Sequence, residues 1–145
     1  MDNIKISDMS IVDFYDIEPI FSDFDDFWTT QNLKSELENL NSKYIVAKHN
    51  NIIVGFAGIW FSVDDAHITN IAVHKNFRHN GIGSKMLENL ISLAKEHNKN
   101  SLTLEVNVKN IDAQKLYSKY AFDNLGIRKK YYNGIEDAYI MTLYF

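Results

Sequence analysis

Ile68-Thr69-Asn70-Ile71-Ala72-Val73, then Arg78-His79-Asn80-Gly81-Ile82-Gly83, then the segment Ser84 to His97 form the stretch that decides the fold. An apolar run, a glycine-bearing loop and a segment with helical periodicity read as strand, loop and helix, in the order that makes a phosphate site. The start of a helix offers unpaired backbone N–H groups and the positive end of a dipole worth roughly half a charge, and glycine removes the Cβ that would hold a phosphate away. Arg78 and Lys85 add positive charge. A tight helix start that merely needs two glycines is the plain structural alternative.

Two familiar phosphate loops fail against this spelling. A Walker loop ends in Gly-Lys-Ser/Thr, whereas Gly83 is followed by Ser84-Lys85, and a dinucleotide fingerprint needs a third glycine where Met86 stands. The remaining pattern, Arg-x-x-Gly-x-Gly, resembles the acetyl-CoA pyrophosphate loop of the GNAT N-acetyltransferases.

Bulk properties fit a single domain spanning residues 1–145, with 46% hydrophobic and 13% aromatic residues. One proline, six glycines and no repeat or low-complexity segment leave no candidate linker. The absence of cysteine excludes disulfides and a thiolate nucleophile, so any acyl transfer must proceed without a cysteinyl intermediate. His74 and His79 stand five apart across a loop with no His-Glu-x-x-His, so no metal is expected. No apolar run approaches the roughly 20 residues of a membrane span, and Met1-Asp2-Asn3 is acidic with no apolar h-region after it, so no signal segment is expected. A cytoplasmic protein without a membrane partner is expected. The net charge of −4 is uneven: residues 1–40 carry ten acidic against two basic side chains, and residues 41–145 carry nine against thirteen. A polyanionic cofactor suits the second part, and a cationic amine or a solvated acidic helix face suits the first. A net-acidic chain without a long basic stripe is not expected to bind nucleic acid.

In chain order, Ile4-Lys5-Ile6 alternates as a short strand, and Asp8 or Ser10 can cap a helix running through Ile11, Phe14, Tyr15 and Ile17 to Pro19. Phe21 to Trp28 mixes aromatics with Asp23, Asp25 and Asp26, and either lines a substrate-binding loop or tucks its aromatics into the core. Thr29 or Thr30 begins a helix with Leu33, Leu37 and Leu40 on one face. Tyr44–Lys48, Asn50-Asn51 and Ile52–Phe61 read as a hairpin, with Gly55 and Gly58 marking close approach or a bulge. Ala66–Val73 feeds the glycine loop, the helix from Ser84 shows an apolar stripe, and Ser101–Val108 is a strand. A strand, helix, strand unit of this length implies a parallel pair. Asn110 caps the next helix, and Phe122–Tyr132 with Asp137–Leu143 closes a hairpin about Asn133-Gly134. The expected fold is α/β (mixed α+β), a central mixed sheet of about seven strands with helices on both faces.

Asn70-Ile71-Ala72-Val73, the glycine loop, Leu104-Glu105-Val106, Asn110, Leu116-Tyr117, Arg128 to Tyr132 and Glu136 to Met141 together resemble the RimI type of GNAT enzymes, the ribosomal-protein alanine N-acetyltransferases. The similarity covers most of the chain from about Phe27. It implies that Ile71, Ala72 and Val73 pair by backbone with the pantetheine arm of acetyl-CoA, and that Arg78, His79, Asn80, Gly81, Ile82, Gly83 and Ser84 form the pyrophosphate site. It further implies that Asn110 contacts the cofactor, that Glu105 is the general base and that Tyr117 is the general acid. The implied acceptor partner is the N-terminal alanine of a small-subunit ribosomal protein. Trp28, Tyr131 and Tyr132 are candidates for the acceptor groove.

These roles suit the chemistry. Attack on a thioester needs a neutral amine, and an α-amine of pKa about 7.7 to 8.0 is easier to deprotonate than a lysine near about 10.4. Strand alternation puts Thr103, Glu105 and Asn107 on one face and Leu102, Leu104 and Val106 on the other. A carboxylate in the middle of a covered sheet is expensive unless solvated or employed, a salt bridge being the structural alternative. The thioester is expected between Glu105 and Tyr117, on one side of the sheet. One departure stands out: Ala121-Phe122 replaces the Gly-Phe of the family, which strains the backbone if that position has φ > 0. A lysine or small-molecule acceptor, and a non-catalytic acetyl-CoA-binding module, are the alternative readings.

Overall fold

The structure, a computed structural model, describes residues 3–21, 38–132 and 134–145. In order these form β1 (Ile4–Asp8), α1 (Ile11–Phe21), β2 (Ser42–His49), β3 (Ile52–Phe61), β4 (Ala66–Val73), a 3₁₀ turn (Lys75–Phe77), α2 (Ile82–Glu96), β5 (Ser101–Asn107), α3 (Ile111–Lys119), β6 (Asp123–Tyr132) and β7 (Glu136–Tyr144). The strands make one seven-stranded sheet in the order β1-β2-β3-β4-β5-β7-β6. Every neighbouring pair is antiparallel except β4 and β5, which are parallel.

Ser10 starts α1 through a reciprocal cap: its Oγ accepts from the Asp13 N–H at 3.3 Å, while Asp13 Oδ2 accepts from the Ser10 N–H at 2.9 Å. Burial pushes the Asp13 carboxyl up, but the Ser10 hydrogen bonds and Lys48, 3.0 Å away, outweigh it and hold the group below its ordinary range. The helix continues two residues beyond Pro19, where the sequence reading ended it. The β2–β3 turn has Asn50 and Asn51 at φ 51° and 67°, the paired left-handed conformation of a type I′ hairpin.

Leu40 corrects the sequence reading. It is 99% exposed beside a turn in which the Ser42 N–H bonds to Asn39 O at 3.1 Å, so it does not extend an apolar helix face. The rest of that expected helix, with Leu33 and Leu37, and the aromatic stretch to Trp28 lie outside the described residues.

The central strands are buried on both faces, which explains the unbroken apolar runs of β2 and β3. Phe14 and Ile17 of α1 pack with Tyr44, Val46, Ile53 and Phe56 on one face. On the other, Met86, Leu87 and Leu90 of α2 and Tyr117 of α3 join Ile45, Ala57, Leu102, Leu104 and Val106. Helices therefore cover both faces, as expected.

α3 ends in a Schellman motif. The Phe122 N–H bonds to Tyr117 O at 3.1 Å and the Ala121 N–H to Ser118 O at 3.0 Å. The accompanying apolar contact is between the rings of Phe122 and Tyr117, 5.8 Å apart. The left-handed residue at this cap is Ala121, with φ 71°, so the strain suspected from the sequence is present. We expect Ala121→Gly to raise stability by about 0.5–1 kcal/mol, relief of left-handed strain outweighing the greater freedom of glycine in the unfolded chain; denaturant unfolding of the two proteins checks this.

Candidate active site

β4 and β5 are joined for only two residue pairs, Ala66 with Leu102 and His67 with Thr103, although both strands run on to Val73 and Asn107. Beyond His67 they part. The closed end is clasped by Ser101 Oγ donating to Asp65 Oδ1 at 2.9 Å and the Asn100 N–H to Asp64 O at 2.7 Å. At the open end Gln114 of α3 donates to Asn107 O and Val108 O at 3.3 and 3.0 Å, fixing α3 against β5. Leu116 of the same helix reaches the start of α2, where a Cβ on Gly83 would sit 3.4 Å from Leu116 Cδ2 and 3.9 Å from Val73 Cγ2.

The main-chain groups that face this opening follow from the ladder with β3. The His74 N–H bonds to Val54 O at 2.8 Å. In an antiparallel pair bonded and unbonded residues alternate, so Ala72, opposite Phe56, also directs its polar groups toward β3. Its carbonyl oxygen accordingly lies against Gly55, where an added Cβ would come within 3.0 Å of it. Ile71 and Val73 therefore point their N–H groups the other way, into the opening. Of the three residues named for the pantetheine arm, Ala72 has the wrong backbone orientation for a direct bond. The Val73 carbonyl is engaged by Arg78 Nε at 3.2 Å.

The glycine loop leads to α2. Gly81 is the N-cap with φ 78°, no side chain caps the helix, and His79 is also left-handed at φ 64°. Asn80 braces the loop by donating to Phe77 O and Arg78 O, both at 3.1 Å. The first turn, Ile82, Gly83 and Ser84, thus presents backbone N–H groups at the positive end of a 15-residue helix. Lys85 is exposed beside it. Asn110 sits at the start of α3, where its Oδ1 accepts from the Ala113 N–H at 3.1 Å.

Glu105 lies on the α1 side of the sheet, as alternation required. Its side chain is 7% exposed, with Oε2 2.7 Å from His67 Nε2 and Oε1 3.3 Å from Arg128 Nη1. Tyr117 lies on the other side, in the core with α2 and only 4% exposed. The expectation that both side chains occupy one side of the sheet is therefore wrong. Period-two alternation fixes the face of a strand residue, but the side on which α3 packs is set by chain topology.

Tyr132 adjoins Glu105, its hydroxyl donating to Glu105 O at 3.0 Å, and Tyr131 packs edge-on against Tyr132 with ring centroids 5.0 Å apart. Tyr131 lies within a break in the β6–β7 register between Arg128 and Tyr132, and Tyr132 resumes the pairing. Asp137 holds that bulge: its Oδ1 accepts from the Lys130 N–H at 2.9 Å and its Oδ2 lies 3.3 Å from Lys129 Nζ. The Lys130 bond, aided by Lys129, holds the Asp137 carboxyl below its usual range. Trp28 lies outside the described residues. Sequence reasoning missed His67, Arg128 and Asp137 as parts of this cluster. For His67 the signal was available, since the parallel pair puts it on the same face as Glu105. Among the described residues no three His, Asp or Glu side chains gather as a metal site, and no helix is long and apolar enough to cross a membrane.

Comparison with known proteins agrees with the fold. Residues 10–122 match the acetyltransferase (GNAT) family. The chain is 40% identical over 142 residues, 96% of its length and 91% of the relative's, to a Bacillus subtilis (strain 168) protein named as a putative ribosomal protein bS18-alanine N-acetyltransferase. It is 36% identical over 123 residues, 81% of its length and 82% of the relative's, to the ribosomal protein bS18-alanine N-acetyltransferase of Haemophilus influenzae. The crystal structure of the ribosomal-protein-S18-alanine N-acetyltransferase from Escherichia coli superposes with a TM-score of 0.87 at 28% identity, covering 97% of this chain and 93% of that one. A GNAT family acetyltransferase from Elizabethkingia anophelis with acetyl-CoA bound shares the fold, with a TM-score of 0.79 at 24% identity over all of both chains. A sheet parted beside an uncapped helix start, together with a family match over most of the chain, places this protein in the acetyltransferase (GNAT) family.

Proposed function

We propose that the protein transfers the acetyl group of acetyl-CoA directly to the N-terminal alanine of ribosomal protein bS18, in the cytoplasm. The observation that carries this reading is the 40% and 36% identity to relatives whose names give that reaction, and the opening between β4 and β5 supports it with suitable chemistry. The N–H groups of Ile71 and Val73 suit the carbonyl and amide oxygens of an acyl-pantetheine arm. The α2 start with Arg78 to Ser84 suits a pyrophosphate, whose charge complements the helix dipole. Asn110 borders the open end through its place at the start of α3.

The acid and base act from opposite sides of the parted strands. The acceptor approaches on the α1 side, where Glu105, His67 and Tyr132 meet and Tyr131 lies at the rim. The amine nitrogen bonds to the thioester carbon and its proton passes to the Glu105 carboxylate, directly or through water. The carbon–sulfur bond breaks, and the departing thiolate takes a proton from the Tyr117 phenol on the α3 side. A phenol, with a reference pKa near about 10, is protonated at neutral pH and able to donate. N–H groups on β4 stabilise the oxyanion as it develops. A partner on each side of the gap keeps the proton acceptor from meeting the proton donor.

Incubation with acetyl-CoA and a peptide beginning with alanine, followed by mass spectrometry, should show one added acetyl group on the α-amine. Acetylation confined to N-terminally blocked, lysine-containing peptides would instead select the side-chain acceptor. For Tyr117→Phe we expect kcat to fall roughly 10²-fold, the lower range for loss of a general acid, with acetyl-CoA affinity little changed. Equal losses in kcat and affinity would show that Tyr117 serves packing alone.

A further inference from the structure

Side chains of β4 change parity part-way along the strand. Ala66 and Ile68 belong to the core on the α2 side, and strict alternation from Ile68 would send Ile71 and Val73 to the α1 side. Both instead pack against the α2-side core, while Ala72 packs against the α1-side core. The switch occurs where Gly58 pairs with Asn70 and Ile59 with Ile68, leaving Thr69 as an extra residue.

This bulge is built by its neighbours. Thr69 Oγ1 lies 3.3 Å from the hydroxyl of Tyr44, a member of the α1-side core. Gly58 makes room for both, since a Cβ there would overlap the Tyr44 ring and Thr69 Oγ1. Counting back from Ala72, Asn70 falls on the α1 side as well, one residue before the inward-facing N–H of Ile71. Its Oδ1 is buried and has no hydrogen-bond partner among the described residues. Withdrawing an acceptor from water with nothing to bond is unfavourable, and bulges beside active sites serve to re-aim a side chain.

We propose that Asn70 is an acceptor-binding residue that positions the amine, its Oδ1 accepting a hydrogen bond from the N–H of the incoming amine. A carbonyl oxygen bonds only to a donor, which excludes the thioester oxygen and the phosphates. The amine supplies such a donor and arrives on the α1 side, the side of Glu105. Holding one N–H at Asn70 orients the nitrogen lone pair toward the thioester carbon. The role rests on the proposed acetyl transfer at the β4–β5 opening. An amide N–H of the pantetheine arm is the competing donor.

Asn70→Leu keeps the approximate size and removes the polar atoms, and Asn70→Ala removes bulk as well. With a peptide beginning with alanine, both variants should raise the peptide KM about tenfold or more, with the KM for acetyl-CoA within about twofold of the parent, as expected when a buried recognition bond is lost. The melting temperature of the Asn70→Leu protein should not fall, because no internal bond is removed. An unchanged peptide KM would overturn the role, and a parallel rise in the acetyl-CoA KM would move the bond to the cofactor arm and overturn it too. A lower melting temperature with unchanged KM values would show a structural bond to a buried water. If the parent protein modifies no alanine-initiated peptide, the acceptor assignment fails; an active parent with variants of unchanged KM sinks only the role of Asn70.

Discussion

Two strands that stop bonding to each other organise this molecule. A parallel pair in the middle of a covered sheet normally satisfies its main-chain groups along its whole length, because an unpaired buried N–H or C=O is unfavourable. Here β4 and β5 pair through two residues and then separate, leaving the inward N–H groups of Ile71 and Val73 facing the gap. The surrounding elements stabilise the separation. Ser101 and Asp65 clasp the closed end, Gln114 fixes α3 to the end of β5, and Leu116 fills the space between Val73 and the start of α2.

The same parting relates the two catalytic candidates. In an intact sheet Glu105 and Tyr117 would be separated by a layer of backbone. In a parted one no ladder of hydrogen bonds closes the sheet between them, and each is held in its own setting: Glu105 among His67, Arg128 and the Tyr132 hydroxyl, and Tyr117 locked by the Schellman turn and its Phe122 contact. The cap that positions Tyr117 uses a left-handed alanine. Local strain thereby lies next to the turn that holds Tyr117.

The elements legible in the sequence were those whose cause is local. Ser10 as a cap, Asn50-Asn51 as a hairpin turn, Asn110 as a helix start and the alternation of β5 all depend on residues close together in the chain. The glycine loop at the start of α2 was legible for the same reason, and so was the strain at Ala121. What could not be read depends on partners distant in sequence. The Thr69 bulge needs Gly58 and Tyr44, the hold on the β6 bulge needs Asp137, and the side on which Tyr117 lies needs the path of α3. The exposure of Leu40 was misread because three leucines at helical spacing say nothing about where the helix stops. The function was legible through motif spelling, which joins residues that the chain keeps far apart.

The central claim is that the inward-facing amides of β4 bind the acyl-CoA arm while their neighbours remain tied to β3. Residue-resolved amide hydrogen exchange, measured with and without saturating acetyl-CoA, tests it most directly. The account predicts strong added protection at Ile71 and Val73 and little change at Ala72, whose N–H is already bonded across the sheet. Unchanged exchange at Ile71 and Val73 in the saturated protein would contradict it.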